Sequence, residues 1–382
     1  MRVLVVTIAL GVGSVATALG QQTETWLTRL GADTVALERF SRTKNRLDGE
    51  LVVIAPKVRI TKYTVLFHAD GTVRRYQLSG RPGVGGSGAQ PSVEATAAFG
   101  GGTITASVTR DAKTDTSRVA AGAGALPNTI YAWGLFGLAT QAARRTRQDS
   151  VVLEQYGIGA KQVSKTAVVR RGDSVAVDFF GLPMMAKTDP RGRLLGVDGG
   201  RTTVKVLAGR VTGLDLAGLT ASFIARERAG QAIGVLSSRD TVTAQVGAAA
   251  IWIDYGRPAK RGRQLLGGIV PYGEVWRTGA NAATQFRVNR EIELAGQPIP
   301  AGLYSLWTVP TPTGVSLVIN RQAGQWGTEF DPAQDLGRYP LVVRPLQASV
   351  ERFTISVADL GGAGEIRFDW GEVRWVAPFR VP

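Results

Sequence analysis

Polar and apolar residues alternate along most of this chain in short runs separated by Gly, Pro, Asn and Asp. A period of two is typical of β-strands, because successive side chains point to opposite faces of a sheet. Asp48-Gly49 and Asp70-Gly71 are predicted hairpin turns, since Gly adopts a positive φ at low cost. In the N-terminal part, the pattern predicts strands at residues 34–40, 47–54, 59–68, 72–78, 102–109, 117–120, 150–156, 164–170, 174–180, 182–188, 194–198 and 203–207. The Gly-, Ala- and Ser-rich stretch 81–102 is predicted to be a long loop.

One segment of this region has the apolar spacing of a helix. It covers residues 128–145, with Asn128 as the predicted N-cap and with Arg144 and Arg145 near its C-terminal dipole end. Its apolar residues occupy more than one face, so we expect it to be buried against a sheet. A shorter helix is expected around residues 219–229, in the connection to the next domain.

From residue 238 onward the strands become more closely spaced. They are predicted at residues 241–247, 250–255, 284–289, 291–294, 302–309, 315–320, 339–343, 350–360, 365–369 and 372–376. Short strands punctuated by turns indicate a β-sandwich. The predicted fold class is therefore all-β and mainly antiparallel. An N-terminal open sheet or half-barrel with one helix (21–237) precedes a C-terminal β-sandwich (238–382).

The first twenty residues have the features of a signal peptide. Arg2 precedes an apolar run, and small residues at Ala18 and Gly20 would allow cleavage before Gln21. Retention as an uncleaved anchor is the alternative. Either outcome predicts an exported protein, periplasmic or extracellular, that is membrane-associated if the segment is retained.

The composition excludes several kinds of site. The chain has no cysteine and a single histidine, His68, which removes disulfides, thiolate metal sites and multi-histidine metal sites. The motif G-x-G-x-x-G at residues 83–88 lacks the preceding strand and following helix that nucleotide binding requires. We therefore expect no metal, no cofactor and no catalytic residue.

Positive charge is concentrated in the N-terminal part. The net charge of the chain is +15, of which residues 1–237 carry +13 and residues 238–382 carry +2. Basic surfaces attract polyanions, so the expected partner is a protein or envelope component with an acidic face, or an anionic lipid or glycan. No nucleic-acid-binding motif is present, and nucleic acid is not expected as a partner.

Residues 255–284 read YGRPAKRGRQLLGGIVPYGEVWRTGANAAT and are the most distinctive part of the chain. Together with PIPAGLYSLWTVP, LVINRQAGQWG and RFDWGEVRWVAPF, they resemble, in order and spacing, the secreted bacterial family known as domain of unknown function 2911. The resemblance covers residues 241–379 and implies a fold and a secreted context without a reaction. The N-terminal domain is only loosely similar to the clamshell-like open barrels of bacterial envelope proteins.

Six residues of this segment are candidates for ligand binding: Arg257, Tyr272, Glu274, Trp276, Arg277 and Asn281. An aromatic face beside Arg and a carboxylate can bind a sugar or a planar anion through stacking and bidentate hydrogen bonds. The alternative is an internal network in which Arg257 or Arg277 pairs with Asp254 or Glu274 and pins a long loop.

The predicted function is that of an exported, non-catalytic binding or accessory protein that docks a partner at the cell envelope. One alternative is a periplasmic carrier of a small apolar or glycan ligand, which requires a continuous cavity in the N-terminal domain. Another is a glycan-directed hydrolase that uses Asp254 and Glu274 as a facing carboxylate pair.

Overall fold

The computed structural model describes residues 22–85, 91–146, 148–179 and 182–382. The predicted signal peptide lies outside these residues. Strands dominate the described part of the chain, which also contains two α-helices.

The N-terminal part forms one sheet of fifteen strands. The strands are β1 (Gln22–Leu30), β2 (Asp33–Arg42), β3 (Arg46–Val53), β4 (Arg59–Phe67), β5 (Val73–Pro82), β6 (Val93–Gly100), β7 (Thr103–Arg110), β8 (Lys113–Ala120), β9 (Leu126–Asn128), β10 (Ser150–Gly157), β11 (Ser164–Arg171), β12 (Ser174–Phe179), β13 (Leu182–Thr188), β14 (Leu194–Asp198) and β15 (Leu207–Val211). Across the sheet the strands run in descending order from β8 to β1 and then from β15 to β9. The sheet thus has two arms, in each of which strands consecutive in sequence are neighbours, and the pairing of β1 with β15 joins the arms. Neighbours are antiparallel except β9 and β10. The outermost strands β8 and β9 do not pair with each other in the described structure, and the sheet is open, as predicted.

Helix α1 (Trp133–Arg145) fills the space between the two arms. Leu135 and Leu138 belong to an apolar cluster with β3 to β8, whereas Trp133 and Ala143 belong to a cluster with β1, β2 and β11 to β14. The predicted burial of this helix is therefore confirmed.

Helix α2 (Leu216–Arg228) covers the opposite face of the sheet. Its Phe223 and Ile224 pack with Leu37, Val52 and Ile60. Ala36 and Leu51, which precede Leu37 and Val52, lie in the cluster that contains α1. The side chain of Asp215 accepts a hydrogen bond from the Gly218 amide and caps the helix.

The C-terminal part consists of two further sheets. They contain β16 (Ser237–Val246), β17 (Ala249–Pro258), β18 (Thr284–Val288), β19 (Ile292–Leu294), β20 (Gln297–Ile299), β21 (Gly302–Thr311), β22 (Gly314–Asn320), β23 (Asp335–Pro340), β24 (Val342–Asp359) and β25 (Ala363–Arg380), with a 3₁₀ turn at Pro332–Gln334. The six-stranded sheet has the order β16-β17-β18-β21-β22-β23, and the four-stranded sheet β20-β19-β25-β24. Ile253 and Phe286 of the first share one core with Phe353 and Phe368 of the second, which makes the predicted β-sandwich.

Several details of the predicted elements are wrong. The strand predicted at 203–207 is not formed at 203–206, and β15 begins at Leu207. Helix α1 begins at Trp133, and Asn128 ends β9 and does not cap the helix. Asp48 and Gly49 lie inside β3, where the ring of Tyr63 covers Gly49 so closely that a Cβ would lie 2.1 Å from its Cζ. Strand β6 lies within the predicted loop 81–102, because pairing with β5 and β7 along its length outweighs its weak strand propensity.

Candidate functional site

The segment from residue 259 to residue 283, here called the junction loop, connects β17 to β18 and contacts the N-terminal sheet. The Ala32 amide donates a hydrogen bond to the Arg261 carbonyl over 2.9 Å. The Arg261 guanidinium pairs with the carboxylate of Asp33, and only 6% of the Arg261 side chain is exposed. At Gly31, where φ is positive, a Cβ would lie 2.3 Å from the Arg261 oxygen, so the two backbones meet without room for a side chain.

A cavity of about 320 Å³, here called the junction cavity, lies between the junction loop and the N-terminal sheet. Its apolar lining includes Leu30, Tyr131 and Val204 from the N-terminal part and Ile269, Trp276 and Trp370 from the C-terminal part. Lys205, Arg263 and Arg277 also line it, and no aspartate or glutamate does. The cavity therefore combines an apolar wall with three cations.

Trp276 is the anchor of the junction loop. It is 7% exposed, stacks on Trp370 with ring centroids 5.6 Å apart, and meets Phe353 edge to face. Its amide donates to the Thr308 carbonyl and its carbonyl accepts from the Thr308 amide, both at 2.8 Å. The ring thus belongs to the sandwich core and also to the cavity wall.

Arg277 is held in place without a carboxylate partner in the described structure. Its Nη1 donates to the Gly327 carbonyl over 2.8 Å, while its Nε is buried and has no hydrogen-bond partner. Burial lowers the pKa of the Arg277 guanidinium. A buried donor that lacks a partner carries a desolvation cost.

Lys205 and Arg263 bring two more positive charges to the cavity. Lys205 donates to the Gly200 carbonyl at 3.1 Å, and Arg263 donates to the carbonyls of Lys260 and Ala259. Burial, and after it the nearby charges of Arg277 and Arg263, lower the pKa of Lys205 to about 8, against a smaller opposing effect of Glu274. Lys205 is therefore close enough to Arg277 and to Arg263 to be repelled by both.

The other candidate residues of the junction loop lie towards solvent. Asn281 is exposed and lines the cavity, and its carbonyl accepts from the Gly327 amide at 3.0 Å. Tyr272 is 43% exposed and does not line the cavity. Glu274 is exposed and lies 3.7 Å from the Arg201 guanidinium.

Arg257 is placed outside the cavity, where it ties the two sheets of the sandwich together. Its Nη1 donates to Asp240 over 3.0 Å, its Nη2 to the Thr354 hydroxyl over 2.9 Å and its Nε to the Phe353 carbonyl over 3.2 Å. This is internal pairing of the kind considered from the sequence, with Asp240 as the partner in place of Asp254 or Glu274.

The geometry does not favour the hydrolase alternative. Asp254 accepts two hydrogen bonds from the Arg239 guanidinium, at 2.6 and 2.8 Å, and Glu274 lies beside Arg201. Each carboxylate thus has its own arginine, which removes the free facing pair that such an enzyme needs. Neither carboxylate lines the junction cavity.

The interior of the N-terminal sheet is filled. Helix α1 occupies it, and the cavity beside Trp133 and Phe136 measures about 60 Å³. A continuous apolar chamber, which the carrier alternative requires in this domain, is therefore not found among the described residues. His68 is exposed in the turn after β4 and lines a separate cavity of about 490 Å³ formed largely by small residues at 100–102 and 121–123.

A second polar centre is buried under α1. Glu38 accepts hydrogen bonds from the Tyr63 hydroxyl at 2.5 Å and from the amides of Trp133 and Gly134 at 2.7 and 3.2 Å. It therefore caps the helix from a neighbouring strand. Burial raises the pKa of Glu38 to about 8, more than these three donors lower it.

Trp370, Arg263 and Lys205 are among the residues of the junction cavity that sequence reasoning missed. Trp370 stands in the motif RFDWGEVRWVAPF and Arg263 in the junction loop, so the family motifs are the signal that marks both. Lys205 lies within the weak strand pattern at 203–207, and nothing in the sequence around it indicates a binding site. Across the described residues no group of three or more His, Cys, Asp or Glu side chains is arranged to hold a metal ion. No helix in that part of the chain has the length and apolarity needed to cross a membrane.

The fold defines an all-β protein in which a β-sandwich follows a large open sheet. Residues 237–379 match the model of the family described as "Protein of unknown function (DUF2911)". The C-terminal domain thus resembles this family, as its motifs predict. No curated protein sequence matches the chain.

Among solved structures, the chain is similar to the "Beta-barrel-like Protein of Domain of Unknown Function DUF1849 from Brucella abortus". The two chains are 13% identical, and the match covers 50% of this chain and 94% of that chain with a TM-score of 0.32. A likeness at this level carries no conclusion about function.

Proposed function

We propose that this protein is a non-catalytic binding protein that takes a small ligand in the junction cavity. The observation that carries the proposal is the position of the junction loop, which closes a cavity of about 320 Å³ against the N-terminal sheet. Ligand sites in proteins are mostly apolar hollows of roughly 300–1,000 Å³ with a few placed polar groups, and they often lie between domains. Trp276, Arg277 and Asn281, three of the six candidates from the sequence, line this one.

Filling the mouth of the cavity tests this function. Val235 lines the cavity and is 56% exposed, so Val235→Trp adds bulk there without overpacking a core. Leu360→Trp is the matched control, because Leu360 is 57% exposed and does not line the cavity. The full chain and both variants are screened by ligand-observed NMR against a mixed set of neutral and charged aromatic fragments.

We expect fragments that bind the unmodified chain and Leu360→Trp but not Val235→Trp. If every binding fragment is insensitive to Val235→Trp, the junction cavity is not a ligand site. Thermal unfolding of both variants shows whether the substitutions leave the fold intact.

We propose in addition that the protein is exported and docks an acidic partner at the cell envelope. The charge distribution supports this, since +13 of the net +15 belongs to residues 1–237. Charge attraction between exposed groups is screened by salt, so the protein should co-purify with membranes in low salt and be released in roughly 0.5–1 M salt. Co-purification with membranes that does not depend on salt would contradict docking. A protein that stays in the cytoplasm would contradict export.

A further inference from the structure

Among the described residues, the carboxylates near the three cations of the junction cavity do not form ion pairs with them; Glu351 and Asp33 act on Arg263 without reaching ion-pair distance. None of Lys205, Arg263 and Arg277 forms an ion pair in the described part of the chain. Their hydrogen bonds go to backbone carbonyls, which orient the side chains but carry no net charge. Glu274, the carboxylate that acts on Lys205, lies beside Arg201 instead.

The repulsion of Lys205 by Arg277 and Arg263 is unfavourable. Charges that are partly removed from water interact more strongly than charges at the surface, and like charges then destabilise one another. An arrangement of this kind is typical of sites that receive an anion, because the ligand converts the repulsion into attraction.

The apolar part of the cavity restricts the ligand further. Trp276, Trp370 and Ile269 provide an apolar wall that suits a ring, whereas an inorganic anion would leave it unused. The volume is at the lower end of the range for small-molecule sites, which suits one or two fused rings.

We propose that the junction cavity binds a small aromatic carboxylate, with its ring against the tryptophan wall and its charged group beside Lys205 and Arg277. This inference rests on the proposed pocket-binding function and names the ligand class of that site. Arg263 contributes long-range attraction, since its Nε and Nη2 are already engaged with the carbonyls of Lys260 and Ala259.

Two probes of equal shape test the charge requirement. They are 2-naphthoate and 2-naphthamide, which share a ring system and differ in net charge. Isothermal titration calorimetry on the full chain is expected to give a Kd for 2-naphthoate that is at least tenfold lower than the Kd for 2-naphthamide. A tenfold ratio corresponds to about 1.4 kcal/mol.

Variants that each remove one positive charge show which side chains bind the carboxylate of the probe. Lys205→Gln and Arg277→Gln should each weaken the binding of 2-naphthoate roughly tenfold and leave the binding of 2-naphthamide nearly unchanged. Lys165→Gln, which removes a charge from an exposed position of β11, is the control and should change Kd less than about twofold.

The outcomes separate this inference from the function on which it rests. Equal affinity for both probes, with both lost in Val235→Trp, would overturn the anion inference and leave the pocket function standing. An absence of 2-naphthoate binding at about 1 mM would also overturn it, whether or not other fragments bind. Unchanged 2-naphthoate affinity in Lys205→Gln and Arg277→Gln would show that the anion is held elsewhere.

Discussion

At the residue scale, the buried polar groups of this protein have distinct roles. Arg257 and Asp254 are engaged by partners within the sandwich and stabilise it. Arg277 differs, because its Nε is buried without a partner at the wall of a cavity. The difference cannot be seen from residue type alone and depends on which groups surround each side chain.

Glu38 should make stability depend on pH. Its pKa is raised from 4.5 to about 8 in the folded state, so the folded protein retains a proton that the unfolded chain loses. The stabilisation is complete below pH 4.5 and is lost as the pH rises through 8. Relative to Glu38→Gln, the unmodified chain should lose roughly 2–4 kcal/mol of unfolding free energy between pH 5 and 8.5.

Urea unfolding at a series of pH values measures this difference. Glu94→Gln, at an exposed position of β6, is the control and should follow the profile of the unmodified chain. Parallel profiles for the unmodified chain and Glu38→Gln would show that Glu38 does not titrate in this range.

At the element scale, α1 is determined more by its surroundings than by its own sequence. Its N-terminal amides are capped by Glu38, which lies ninety-five residues before Trp133. Its buried face includes Gly134 and Gly137, and Gly134 lets the helix approach Tyr63 and Phe40 closely. Glycine inside a helix is normally unfavourable relative to alanine, so tertiary packing compensates for a weak local preference.

Replacing these two glycines by alanine should have opposite effects. At Gly134 a Cβ would lie 2.7 Å from the Tyr63 hydroxyl and 2.9 Å from the Phe40 ring, so Gly134→Ala should destabilise the fold by about 1–3 kcal/mol. At Gly137 the nearest atom outside the helix backbone is the flexible Gln141 amide at 4.0 Å, so Gly137→Ala should stabilise it by roughly 0.5–1 kcal/mol.

Chemical denaturation of the two variants compares the effects within one helix. Equal shifts of the midpoint in both variants would mean that α1 does not contact the sheet as closely as described.

At the scale of the whole molecule, the junction loop joins the two parts of the chain. Arg261 is buried and pairs with Asp33, its amide donates to Glu351 at 2.8 Å, and its carbonyl accepts from Ala32. The family motifs therefore organise the contact between the sandwich and the N-terminal sheet as well as the sandwich itself.

Asp33→Asn should loosen this junction. The substitution leaves the Arg261 charge buried without its counter-charge, and because 38% of the Asp33 side chain is exposed we expect a cost of only about 1–2 kcal/mol. Hydrogen exchange should become faster at the Ala32 amide and within the junction loop. Asp115→Asn, at an exposed position of β8, is the control and should leave exchange there unchanged.

Faster exchange spread over the whole molecule would instead indicate general destabilisation. Unchanged exchange at the junction would show that the ion pair does not hold the two parts together.

Much of the secondary structure could be predicted, because a strand is a local pattern. The alternation at β4 and β22 and the turn at Asp70-Gly71 depend only on neighbouring residues, and the structure has them where expected. The misplaced cap at Asn128 and the misassigned Gly49 depend on Glu38 and Tyr63, which lie on other strands.

The residues of the candidate site were likewise predicted only in part. Trp276, Arg277 and Asn281 were found because they stand in a distinctive motif, and they do line a cavity. Arg257 carried the same signal but serves the sandwich, and Lys205 carried no signal but lies at the cavity. Spacing along the chain does not report which side chains converge.

The sequence by itself determined the all-β class, the open sheet with a buried helix, the β-sandwich and the family resemblance of residues 237–379. These follow from periodicity, turn residues and motifs, which act over short stretches of chain. Only the tertiary structure decided that β1 and β15 join the two arms, that Glu38 caps α1, and that Lys205 meets Arg263 and Arg277 at one cavity. These depend on packing between residues far apart in sequence, where burial and mutual repulsion change what each side chain can do.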